Sequence, residues 1–266
     1  MIIVPRPVLC LSNRSHSYRS ALAQLGIAIL ALAFLVVPSL ADSPPPLIQY
    51  GGMRLALAQG QNEARISLSD AVAIEHFFGV GAMAGLEGEI TILDSHAFAT
   101  TYGDRGSLVA ADPSGVSATI LVGQSVAAWS ETVLEASVSP AKFDQTIREA
   151  AQASGLDPAT PFAFVIEGDV TDVRLHVIHG ACPVHARMNK LEIPADQAPY
   201  ELEVDRISGT VVGIYAEDAV GKLTHPATST HAHLIFVDSE SGEQLTAHLE
   251  KVGIAEGARI RVPRVE

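Results

Sequence analysis

Two histidines stand two residues apart on an apolar, β-branched run, Thr230-His231-Ala232-His233-Leu234-Ile235-Phe236. Residues i and i+2 of a strand face the same way, so both imidazoles project from one face, about 7 Å apart along the backbone. Neutral imidazole is a common ligand of divalent transition metals and binds zinc through nitrogen at roughly 2.0–2.1 Å. The pair is either half of a metal site or two hydrogen-bonded strand histidines. A second group, His176, His179, Cys182 and His185, recurs every three residues. Its run is too β-branched, and too broken by Gly180 and Pro183, to be one helix, so even spacing does not gather these groups on one face. It reads as a strand ending in a loop. His225 precedes Pro226 and reads as a solvent-facing loop residue. No Gly-x-Ser-x-Gly elbow, phosphate loop or dinucleotide fingerprint occurs, so the signatures of those hydrolases and nucleotide enzymes are absent.

The elements that must position these residues are mostly strands. Runs at 89–93, 116–122, 131–138, 162–167, 170–178, 201–206, 209–215, 230–237, 244–250 and 258–263 are β-branched or alternate, with turn residues between them. Residues 67–78 read as a short helix capped by Ser67 or Ser69, with Val72, Ile74, Phe77 and Phe78 as its apolar surface and Gly79, Gly81 and Gly85 ending it. Residues 140–154 form the clearest helix. Ser139 is at the N-cap, Pro140 is at N1, Phe143, Ile147, Ala150 and Ala151 make one stripe, and Gly155 sits at C′. Residues 180–199 read as a proline-punctuated loop. The fold class is α+β, with mixed or antiparallel sheets and two or three helices. A division near 157 gives two sheet-rich subdomains, 42–157 and 158–266, the second carrying the histidine pair.

Residues 1–41 stand apart from this pattern. Arg6, Arg14 and Arg19 precede an apolar run from Ala21 to Leu40, and Ser39 and Ala41 make a small-residue cleavage site. This is the layout of a secretory signal peptide cut near Ala41, the alternative being a retained anchor. The expected location is periplasmic or secreted, with no membrane association after cleavage. The net charge of −13 becomes about three units more negative once three arginines and no acid are removed, which disfavours nucleic acid and anionic membranes as partners. Cys10 leaves with the signal, and Cys182 remains without an intrachain partner, most simply as a small buried residue.

Taken in order, several segments resemble the α-acetolactate decarboxylases. Leu86-Glu87-Gly88-Glu89-Ile90-Thr91-Ile92-Leu93-Asp94 is similar to that family's Leu-Asp-Gly-Glu strand, and Phe162-Ala163-Phe164-Val165-Ile166-Glu167-Gly168 to its segment ending in Asp-Gly. Tyr200-Glu201-Leu202-Glu203 and Ser208-Gly209-Thr210-Val211-Val212-Gly213 resemble the stretch before its metal strand. Thr230 to Phe236 resembles its Phe-His-Leu-His-Phe motif, and Ser241-Gly242 falls where the family turns into its next strand. The resemblance spans about residues 48–263.

The resemblance implies a zinc-dependent carboxy-lyase converting 2-acetolactate, a small β-keto acid, to acetoin and carbon dioxide, assembled as a homodimer. It implies His231 and His233 as metal ligands and Glu89 as an active-site glutamate in metal contact or proton management. A divalent cation suits the chemistry, because loss of carbon dioxide leaves negative charge on the ketone and hydroxyl oxygens. The family's third histidine, eleven residues after the second, falls here on Gln244, a weaker zinc ligand; His248 is the alternative. The family's substrate-holding arginine falls on His176, with Arg174 two residues earlier on the same face; His176 would act as donor or ligand and Arg174 would hold a carboxylate. The family's C-terminal tail returns a carboxylate towards the metal, a reach that this chain, stopping at Glu266, is expected to lack. Three functions fit these departures: the decarboxylase itself, an inactive relative that binds metal or a small molecule, and a decarboxylase of another β-keto acid.

Overall fold

The computed structural model describes residues 45–103, 106–225 and 228–265. The leader expected over 1–41 lies outside them, as does Glu266. In chain order, β1 (Ile48–Tyr50) leads through a single π-helical turn, Arg54–Ala58, to β2 (Ile66–Ser67), α1 (Leu68–Val72), β3 (Phe77–Met83), β4 (Gly88–Leu93), β5 (His96–Tyr102), β6 (Leu108–Ala111) and β7 (Ser117–Ser125). Then follow β8 (Trp129–Val133), α2 (Phe143–Ala153), β9 (Phe162–Val177), α3 (Pro183–Asn189), β10 (Tyr200–Tyr215), β11 (Thr230–Val237), β12 (Gln244–Ile254) and β13 (Arg259–Pro263). All paired strands run antiparallel, in two sheets, with few and short helices: an α+β fold.

The first sheet has the order β1-β7-β3-β4-β5-β6, with β2 on the edge of β7. The second runs β10-β11-β12-β9-β13-β8, and β10 also pairs along the full length of β9, so β9, β10, β11 and β12 close into a ring. The chain passes from the first sheet to the second between Ser125 and Trp129. α2 lays Phe143, Ile147, Ala150 and Ala151 on the core of the second sheet. That is the stripe its sequence spacing dictates. Only its first turn departs from expectation: Pro140–Lys142 is a 3-10 turn, and Ser139 makes no side-chain cap.

The sheets meet through both apolar and polar contacts. Phe78, Val80 and Val122 of the first pack against Ala163, Val165, Val212 and Ile235 of the second. Beside them the buried Thr91 and Thr246 hydroxyls lie 2.5 Å apart, and the Thr246 amide donates to Thr100 Oγ1 at 2.8 Å. These hydroxyls satisfy one another where water does not reach.

Three sequence expectations change. The helix expected over 67–78 stops at Val72; a turn follows, with His76 at a left-handed φ of 52°, and Phe77 and Phe78 start a strand. Gly79 and Gly81 therefore lie inside β3 rather than ending a helix. At Gly81 a Cβ would come within 2.0 Å of the Ile120 carbonyl oxygen, so glycine lets β3 and β7 approach closely. The runs at 162–167 and 170–178 join into one strand, as do 201–206 and 209–215. Finally, the expected loop 180–199 contains α3, whose first residue is Pro183, the position that tolerates a missing N–H.

Candidate metal and acid–base site

Antiparallel register brings the histidines together. His233 on β11 stands opposite His248 on β12, and His248 stands opposite His176 on β9, a row of three imidazoles across three strands. His231 lies two residues from His233 on the same face. All four are buried. The ring centres of His231, His233 and His248 are 5.2 Å apart in every pairing. Three imidazoles bound tetrahedrally to one ion at zinc–nitrogen distances would have ring centres roughly 5 Å apart. One ring nitrogen from each lies within 4.8 Å of the others, and among the described residues no other group of His, Cys, Asp and Glu converges this way.

The buried His231 Nδ1 and both ring nitrogens of His233 have no hydrogen-bond partner. Unpartnered buried nitrogens are costly, and metal ligation is a way to satisfy them. Burial also lowers the proton affinity of these rings. It takes His231 down to about 3, helped by the neighbouring His225 and His176, and holds His233 and His248 well below their ordinary value. The rings are therefore neutral, the form that binds metal. The donor set fits a divalent ion of the zinc type.

Gln244, the sequence-based candidate for the third ligand, does not join this group. It is exposed at the start of β12, opposite Val237. That is four residues from the His233–His248 pair, about 13 Å along a strand. The hairpin between Val237 and Gln244 fixes the register, and it sets His248, fifteen residues after His233, against it.

Glu89, on β4 of the first sheet, reaches the group from across the interface. Its carboxylate oxygens lie 3.7 Å from His176 Nε2 and 3.7 Å from His233 Nε2, and Oε1 accepts the Ile178 amide at 3.3 Å. Burial raises its pKa to about 8, the Ile178 amide offsetting this only in part. At neutral pH this carboxyl is protonated.

His176 is held from behind. Its Nδ1 lies 2.8 Å from Glu250 Oε1, and Glu250 Oε2 accepts from Arg187, which also bonds Glu201 at 2.6 Å. Burial raises the Glu250 pKa, but hydrogen bonds and charge from His176 and Arg187 outweigh it, leaving a carboxylate. A carboxylate accepts only, so His176 Nδ1 donates to Glu250 and the ring is held with Nε2 facing Glu89. Glu250 is aimed at His176 by a bulge: Leu249 pairs with Leu175 and Lys251 with Arg174, leaving Glu250 as the extra residue of β12. Arg174 does not reach the site. Its side chain is 43% exposed and bonds Glu203 of β10 at 2.6 Å.

Sequence reasoning missed His225, Glu250 and Arg187. His225 is not solvent-facing: its ring lies 5.0 Å from that of His248 and 6.2 Å from that of His231, and burial lowers it to about 4. Glu250 is two residues beyond His248, so strand alternation pointed to it; nothing local pointed to His225 or Arg187. In the second histidine group, only His176 and Cys182 border the central cavity. His179 packs edge-on against Tyr102, and His185 bonds Asn189. Cys182 is buried as expected, its pKa raised to about 11 chiefly by burial.

The cavity that these groups enclose is about 30 Å3 and is bordered by Glu89, His176, His225, His231, His248 and the apolar Met53, Leu57, Leu86 and Ile120. The arrangement offers three neutral nitrogens for a cation, a protonated carboxyl beside them, and an imidazole held against that carboxyl.

Known proteins share this fold. A search of curated proteins finds no match to this chain. Among solved structures, alpha-acetolactate decarboxylase from Bacillus subtilis strain 168 superposes with a TM-score of 0.58 at 17% identity, covering 82% of this chain and 85% of that one. A Staphylococcus aureus protein of unknown function, described as similar to alpha-acetolactate decarboxylase, gives 0.59 at 14% identity, covering 83% and 86%. At those identities the likeness is one of fold. The sequence model for alpha-acetolactate decarboxylase matches residues 47–264, and on that match the chain belongs to the alpha-acetolactate decarboxylase family.

Proposed function

We propose that this chain is a metal-dependent carboxy-lyase whose substrate is 2-acetolactate, released as acetoin and carbon dioxide. The observation that carries this reading is the equal spacing of the His231, His233 and His248 rings beside the protonated Glu89 carboxyl. His231, His233 and His248 would hold the ion, which we take to be zinc. When bound, it supplies positive charge to the substrate oxygens on which electron density collects.

The chain's own groups account for the proton. The bond between the carboxylate and the adjacent carbon breaks, and its electron pair moves towards the ketone oxygen. The carbon that lost carbon dioxide then needs a proton, and Glu89 holds one in a dry position. His176 Nε2, 3.7 Å from Glu89 Oε1, stands beside that carboxyl and orients it. Glu250 and Arg187 anchor the imidazole from its Nδ1 side. The balance is one acetolactate anion and one proton consumed, one acetoin and one carbon dioxide released, with Glu89 reprotonated from solvent.

The test is acetoin formation from racemic 2-acetolactate by the zinc-supplemented protein. We expect turnover that is lost in His248→Ala and falls at least a hundredfold in Glu89→Gln. Absence of carbon dioxide release at every metal loading would leave a binding protein on a decarboxylase fold.

A further inference from the structure

The cavity beside the three histidines has room for about one or two waters and not for a five-carbon acid, so a substrate must enter from a larger space. Larger hollows adjoin it. One, about 250 Å3, shares Leu57, Leu86 and Cys182 with it and is bordered by Glu192 and by no Lys or Arg. Of two others, one, about 430 Å3, shares His225 and His248 with it and is bordered by Asp144, Arg187, Glu250 and Lys251. Its charges are mixed and largely engaged: Arg187 holds Glu250, and Asp144 accepts from the Thr228 and Thr230 hydroxyls and the Ser229 amide. The other, about 350 Å3, shares Met53, Leu57 and His225 with the small cavity, so these three side chains form the partition between them.

The charge of the 350 Å3 hollow is unusual for this chain. Acids outnumber Lys and Arg by 30 to 17 overall, yet this hollow is bordered by Arg54 and Lys222 and by no carboxylate. Neither cation has an ion-pair partner among the described residues. An acidic protein repels small anions over most of its surface, so an unpaired cationic hollow against the site marks where an anion is attracted.

We propose that this hollow is the entry chamber for an anionic small molecule, Arg54 and Lys222 receiving its carboxylate before it passes Met53, Leu57 and His225 to the three histidines. Arg54 lies on the π-helical turn 54–58 that also carries Leu57, so cation and partition belong to one short element. That the anion is a β-keto acid rests on the function proposed above; the cationic chamber itself does not.

Isothermal titration of the zinc-supplemented protein separates the two. The probes are 2,3-dihydroxy-2-methylbutanoate, which carries the carboxylate but no ketone to assist its loss, and the neutral 2-methylbutane-2,3-diol. With Arg54→Gln/Lys222→Gln, affinity for the carboxylate should fall about three- to tenfold, with a matching rise in KM for acetolactate and little change in kcat. Added salt should weaken wild-type binding and leave the double variant nearly unchanged. Binding of the diol should not change, and Lys251→Gln, in the 430 Å3 hollow, should behave as wild type. Both substituted cations are exposed, and an unchanged melting temperature would confirm folding. Equal carboxylate affinity in wild type and double variant, or a loss in Lys251→Gln instead, would overturn the chamber. Carboxylate binding that depends on the two cations in a protein with no decarboxylase activity would sustain the chamber and defeat the proposed reaction.

Discussion

Removing the titrating group of Glu89 should change how the metal-free protein depends on pH. In the folded chain this carboxyl keeps its proton up to about pH 8, whereas its ordinary value is 4.5. Between those values unfolding releases a proton that the folded state retains, so stability falls as pH rises and levels off above 8. Each pH unit in that window costs about 1.4 kcal/mol. Relaxation around a buried charge reduces the sum, and we expect a loss on the order of 3–4 kcal/mol by pH 8. The histidines act in the opposite direction. His231 stays neutral down to about 3 and His225 to about 4, with His233 and His248 also depressed, while their unfolded forms protonate near 6.5. The unfolded state therefore binds more protons below pH 6.5, and stability falls as pH falls through that range. Stability of the chelated wild type should thus peak near pH 6–7. In Glu89→Gln the alkaline limb should flatten and the acid limb remain. Urea unfolding followed by circular dichroism, at half-unit pH steps in chelator, measures both limbs. Identical alkaline limbs in wild type and variant would refute the claim that burial holds Glu89 protonated.

Two further outcomes follow from the packing. Glu250→Gln, which keeps the volume but removes the charge that holds His176 Nδ1, should lower kcat about ten- to a hundredfold, with the pH–rate profile displaced and zinc content near wild type; an unchanged profile would mean that His176 needs no partner. Gly81→Ala places a Cβ within 2.0 Å of the Ile120 carbonyl and should destabilise the chain by about 1–3 kcal/mol in urea, where an unchanged midpoint would show that β3 and β7 can separate freely.

Much of the fold was legible because local pattern and tertiary environment agree. Thr230–Val237 is apolar, β-branched and buried nearly throughout, so its strand is found where its composition puts it. The stripe of Phe143, Ile147, Ala150 and Ala151 is likewise local information, read directly as the buried face of α2. Phe77 and Phe78 misled because apolar residues beside helical ones extend a helix on paper, while the turn between helix and strand, with His76 at positive φ, has no sequence signature comparable to glycine. The site was half legible. His231 and His233 are fixed relative to each other by strand alternation alone. His248 depends on how many residues the β11–β12 hairpin consumes, and a slip of a few residues exchanges it for Gln244. His225, six residues before His231, and Arg187 reach the site from a loop and a helix, and no spacing rule links them to it. Glu250, two residues beyond His248, was legible from strand alternation, though its place in a bulge emerges only from the pairing of β12 with β9.

The central claim is that His231, His233 and His248 form one metal site. Zinc content by mass spectrometry, on wild type, His248→Ala and Gln244→Ala purified in parallel, tests it most directly. The account predicts near-stoichiometric zinc in wild type and Gln244→Ala and almost none in His248→Ala. Zinc retained by His248→Ala but lost from Gln244→Ala, or no zinc in the wild type even when it is supplied, would contradict it.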